Sequence, residues 1–110
     1  MSITNFNRAD LALTATPTLV YGPVPVGTVA VVFSGSISNI DTTNKLLHTG
    51  TLDIHSGASV LNQFKDVAIP YGSALTQMPK VVLKAGESIF ASADAAAVVQ
   101  LSIQLLEVVG

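Results

Sequence analysis

The sequence predicts an all-β fold: a single antiparallel β-sandwich, jelly-roll or immunoglobulin-like, of about seven short strands. Three observations predict it. Apolar residues make up 49% of the chain, yet no apolar run exceeds five residues, so they are spread over many short segments. Those segments are rich in Val, Ile and Thr and alternate with polar residues, and clusters of Gly, Pro, Asn, Asp and Ser separate them. At 110 residues the chain is long enough for one core and too short for a second lobe.

Taken in order, residues 1–16 are polar and weakly periodic, with Leu11 and Leu13 as the clear apolar anchors. An N-terminal arm lying on a neighbouring subunit, a first strand and a disordered terminus are equally compatible with this stretch. The sandwich domain then spans 17–110. In "TPTLVYGPVPVGT", Pro17, Pro23 and Pro25 surround the run Leu19-Val20-Tyr21, and proline's missing N–H confines this part to a sheet edge or a connection. From Thr28 a long strand places Val29, Val31 and Phe33 on one face, with a bulge or a close backbone approach at Gly35. Asn39 to Lys45 carries turn chemistry. Thr51 to His55 alternates, with Leu52 and Ile54 inward and Asp53 and His55 outward, and breaks at Ser56-Gly57. Val60 to Ile69 contains a weaker strand, clearest at Lys65–Ile69, which stops at Pro70-Tyr71-Gly72.

Lys80–Lys84 leads through Ala85-Gly86-Glu87 into Ser88–Asp94, the pattern of a hairpin. The closing segment "VVQLSIQLLEV" decides between helix and strand. Strict alternation fits all positions from Val99 to Leu105, whereas the helical set 98, 101, 102, 105, 108 fails at Ser102, so the segment is a strand.

Composition narrows the function. Charged residues are 11% of the chain, against about 25% in an average globular domain. A surface this poor in charge carries large bare areas, which points to an oligomer or a component of a larger assembly. The five basic residues, Arg8, Lys45, Lys65, Lys80 and Lys84, are scattered and the net charge is −2, which argues against nucleic acid as a partner. No segment approaches the roughly twenty apolar residues of a membrane-spanning helix, and none reads as a secretory signal. Without cysteine there is no disulfide framework, thiolate metal site or Cys nucleophile.

The sequence offers little chemistry. His48, Asp53 and His55 form the one cluster resembling a metal site, but their spacing matches no established ligand motif, and solvent-facing polar residues are the simpler explanation. "YGSAL" lacks the glycine that a nucleophile elbow requires after Ser73. Tyr21 and Tyr71, each followed by Gly, could stack on a ligand or simply pack at a rim. The expectation is a non-enzyme without cofactor, metal or catalytic residues.

Three stretches, "LVYGPVPVGTVAVV" at 19–32, "PYGSALTQMPKVVLKAGESIFASAD" at 70–94 and the terminal "VQLSIQLLEV", resemble small β-structured virion proteins of tailed bacteriophages. The layout covers most of the chain, while 39–66 has no counterpart. The resemblance implies a structural virion protein made in the bacterial host cytoplasm, most simply a capsid decoration (cement) protein. It would be a homo-oligomer, a trimer by preference, in contact with the major capsid protein or other virion proteins. A neck or tail accessory, or a receptor- or carbohydrate-binding module using loops 39–49 and 70–78, is the alternative. Within the first reading, Gln100, Ser102 and Gln104 suit an interface face, because uncharged amides and hydroxyls are covered without the desolvation cost of ions. Leu11 and Leu13 would anchor the arm.

Overall fold

In a computed structural model, residues 3–76 and 80–109 are described. Among them nine strands form an antiparallel β-sandwich: β1 (Ile3–Ala12), β2 (Thr18–Tyr21), β3 (Thr28–Asn39), β4 (His48–Ser56), β5 (Ser59–Ile69), β6 (Ala74–Leu75), β7 (Val81–Leu83), β8 (Ser88–Ala93) and β9 (Val99–Val109). One sheet has the order β1-β9-β3-β6, with β7 also paired to β3, and the other has the order β2-β8-β4-β5.

Alternation builds the core. Val99, Leu101, Ile103 and Leu105 of β9 are buried, as are Ala30, Val32 and Ile37 of β3, and they cluster with Leu52, Ile54, Ile89 and Ala91 of the opposite sheet. Each fully buried Leu or Ile contributes roughly 1.5–3 kcal/mol of transfer free energy. The closing strand is the centre of its sheet. It pairs with β1 from Ile3↔Val109 to Ala12↔Gln100 and with β3 from Thr28↔Val109 to Asn39↔Val99.

Several expectations are corrected. Of the readings open for the N-terminal stretch, residues 3–12 take that of a first strand, pairing with β9 through ten consecutive positions without a register shift. Leu13 is fully buried and Leu11 packs against the core, so the two leucines anchor the chain to its own interior, not to a neighbour. The turn Lys84–Glu87 is not a hairpin, since β7 pairs with β3 in one sheet and β8 with β2 and β4 in the other. It is a crossing between sheets, tied down where Gly86 N–H donates to Val24 O and Val24 N–H donates to Glu87 O. The strand expected within 60–69 fills that whole range, from Ser59 to Ile69, after a two-residue turn whose Gly57 has φ +59°.

Other details match. The proline-flanked strand β2 lies at a sheet edge. Gly35 is a point of close approach, where a Cβ would lie 2.7 Å from Ser102 O, while the bulge itself falls two residues earlier, between Val32 and Ser34. Of the loop 70–78, positions 77 and 78 lie outside the described residues, as do residues 1 and 2 of the expected arm.

Candidate functional site

The side of β9 turned away from the core forms a continuous surface with its neighbours β1, β3 and β7. The registers align residues in rows across the strands. Ala12, Gln100 and Ser38 make one row, Asp10, Ser102 and Ser36 the next, and Arg8, Gln104 and Ser34 the third. Then the chemistry changes. Phe6, Leu106, Val31 and Val82 form a row across four strands, and Val108 pairs with Val29 beyond it. Half of this face is therefore polar and half apolar.

The polar half is internally wired. Ser34 Oγ donates to Gln104 Oε1 at 2.6 Å, Gln104 Nε2 donates to Ser102 Oγ at 3.2 Å, and Ser102 Oγ donates to Asp10 Oδ1 at 2.6 Å. Arg8 Nε closes the chain on Asp10 Oδ2 at 2.9 Å. Of the predicted interface residues, Ser102 and Gln104 belong to this network. Gln100 shares the face but makes no side-chain hydrogen bond among the described residues, leaving its amide open to an external partner. Arg8 and Asp10 are the only charged residues among the paired outward positions of β1, β9 and β3, and they neutralise each other.

The apolar half is open. Phe6 is 79% exposed and Val82 60%, Val29 and Phe33 are also exposed, and Val31, Leu106 and Val108 are half-buried. Phe6 and Phe33 meet edge to face, their centroids 6.2 Å apart. Large contiguous apolar patches are uncommon on the surfaces of soluble monomers. Sequence reasoning saw Val29, Val31 and Phe33 as one face of a strand. It missed Phe6 and Val82, because which strands adjoin β3 is not written in β3.

The residues considered for metal binding are not brought together. Asp53 is buried between its strand neighbours, paired with Asn62 of β5 and Phe90 of β8, and accepts a hydrogen bond from Asn62 Nδ2. His55 stacks on Phe90 at 4.0 Å. His48 sits elsewhere, between two carboxylates: Nε2 is 2.8 Å from Asp41 Oδ2 and Nδ1 is 2.8 Å from Asp94 Oδ1. An imidazole donates to both only when protonated. The Asp41 hydrogen bond, reinforced by Asp94, holds the His48 pKa above its ordinary 6.5, and the same bond holds Asp41 below 3.8. The clamp pins the loop after β3 to the link between β8 and β9, and it is a structural device.

Of the two tyrosines, Tyr21 is half-buried and its hydroxyl donates to Glu107 Oε2 at 2.7 Å. Burial first, and then the carboxylate, push its phenol pKa well above the ordinary value. Tyr71 is exposed in the turn after β5.

No family model matches the sequence, and no curated protein matches it. Solved structures do. A subunit of Bacillus endospore appendages, described as a novel family of disulfide-linked pili, aligns over 98% of this chain and 87% of its own, with a TM-score of 0.58 and 13% identity. Two crystal structures of a pentameric capsid protein isolated from metagenomic phage sequences align over 90% of this chain at 18% identity and a TM-score of 0.49. They cover 59% and 64% of that protein. At 13% identity the appendage likeness establishes the shared β-sandwich and nothing about activity, and this chain has no cysteine with which to form a disulfide.

Proposed function

We propose that this protein is a non-enzymatic structural subunit of a tailed-phage particle, a homo-oligomer acting as a capsid decoration protein. The observation that carries the reading is the outer face of the β1-β9-β3-β7 surface. In its polar half Ser34, Gln104, Ser102 and Asp10 are already linked to one another, and its apolar half is bare, so covering it removes apolar area from water without breaking that network. Charge scarcity supports the same reading. Two of the twelve charged residues, Asp41 and Asp53, are buried, so ten serve a surface of 6020 Å².

The strand orders β1-β9-β3-β6/β7 and β2-β8-β4-β5 support the finer assignment to a jelly roll, the double Greek key common in viral shell proteins. The resemblance of 19–32, 70–94 and the terminal strand to phage virion proteins supplies the particle. Multivalent attachment then lets weak single contacts hold a shell together.

The test has two parts. Size-exclusion chromatography with light scattering should give a multimer at micromolar concentration, and density of the intact particle should contain the sandwich at repeated sites. A monomer that also fails to bind particles overturns the proposal.

A further inference from the structure

Sheet edges differ in how they are protected, and the β1 edge of this sandwich is the least protected. Proteins blunt edges with short strands, prolines, bulges or charged side chains, lysine above all. At its own edge β2 has four residues between Pro17 and Pro23, with a register irregularity. β5 is irregular against β4 and carries Lys65, while β6 and β7 have two and three residues. β1 has ten residues with no proline, lysine or bulge, among the described residues it pairs with β9 alone, and its two charges, Arg8 and Asp10, are paired with each other.

The backbone of β1 shows which groups are open. Leu13 N–H donates to Val99 O, and the register from 3 to 12 is unbroken, so odd positions turn their N–H and C=O toward β9. Positions 6, 8, 10 and 12 turn theirs to the edge. Arg8 confirms the parity, since its N–H is taken by the side chain Oδ1 of its own neighbour Asn7 at 2.8 Å.

We propose that β1 pairs antiparallel with β1 of a second copy about a twofold axis through Ala9, joining the two β1-β9-β3 sheets into one. This rests on the reading of the chain as a self-associating subunit and adds the contact. The register follows from charge and size. With Ala9 opposite Ala9, Arg8 faces Asp10 of the other copy and Asp10 faces its Arg8, while Phe6 lies across from Ala12, where a small side chain leaves room for the ring. Moving the axis one residue either way sets Arg8 against Arg8 or Asp10 against Asp10, a like-charge contact. In the Ala9 register each pair 6–12 and 8–10 is a hydrogen-bonded one, so the open groups of positions 6, 8, 10 and 12 are all used. The Asn7 amide yields Arg8 N–H to the incoming strand. A twofold contact joins copies in pairs, so it does not by itself close the trimer expected from the sequence.

Charge reversal tests this on the full chain by sedimentation velocity. R8D and D10R should each weaken self-association by at least about tenfold, with unchanged circular dichroism. An equimolar mixture of R8D and D10R should recover it, because the two acidic side chains at positions 8 and 10 of the first variant then face the two basic ones at positions 10 and 8 of the second. The double variant R8D/D10R should recover it alone. Rescue by mixing cannot come from a change within one chain. Self-association that is the same in all variants overturns the β1 contact and leaves the proposed function standing. A monomeric wild type overturns the contact, and one that also fails to bind particles overturns the function as well.

Discussion

Ser102 Oγ of β9 donates a 2.6 Å hydrogen bond to Asp10 Oδ1 of β1 and at the same time accepts from Gln104, so one hydroxyl links the ion pair at the edge to the centre of the sheet. Ser102→Val removes that link on an exposed face, and folding stability should fall by about 0.5–1.5 kcal/mol in urea titrations. Self-association should fall further, because covering the face then strands Gln104 Nε2 and Asp10 Oδ1 without a partner. Ser102→Thr, which keeps the hydroxyl, should restore both.

Val82 ends the apolar row that starts at Phe6. Val82→Lys places a charge there at an exposed position, so stability should change by no more than about 0.5 kcal/mol. Particle attachment through this face should be lost, while pairing through β1 at the opposite edge of the sheet should persist. Attachment unchanged in a pull-down with intact particles would show that this face is not the contact.

Leu13 reports on the core. Its complete burial means that Leu13→Ala should cost about 2–5 kcal/mol, read from denaturant midpoints. Below the unfolding transition the oligomeric state should match wild type, the opposite of what an interface anchor predicts.

The His48 clamp makes stability pH-dependent with a definite sign. His48 has a raised pKa in the folded state, so its contribution is complete below 6.5 and is lost as pH rises through the higher folded value. Asp41 has a lowered pKa, so its contribution is present above 3.8 and is lost as pH falls through the lower folded value. Stability should therefore be greatest in the mildly acidic range between them and decline on the alkaline side. His48→Gln should flatten the alkaline decline when midpoints are compared across pH, and a slope that persists in the variant would assign it to other groups.

The fold was legible wherever one face of a strand is buried and the other wet. Val99 to Leu105 and Thr28 to Val32 state their own periodicity, and Pro17 and Pro23 mark an edge. β1 was illegible for a physical reason: Asn5 and Asn7 occupy positions whose parity matches the core side, beyond the reach of the opposite sheet, so alternation is erased while backbone pairing persists. The crossing at Ala85-Gly86-Glu87 is locally indistinguishable from a hairpin, because a tight turn does not encode which sheet receives the next strand. The outer face was half legible. Gln100, Ser102 and Gln104 announce it by lacking charge, but the partners that wire it, Asp10 and Ser34, lie 92 and 70 residues away in sequence. His48 likewise finds Asp41 and Asp94 through folding, not through spacing.

The pairing of Ile3 with Val109 brings the two ends of the described chain together at one corner of the sheet. Tension drawn through those ends pulls β1 and β9 apart like a zipper, one rung at a time, instead of loading every rung at once in shear. A subunit held by its termini is mechanically soft in that direction, and an added strand along β1 is what would stiffen it.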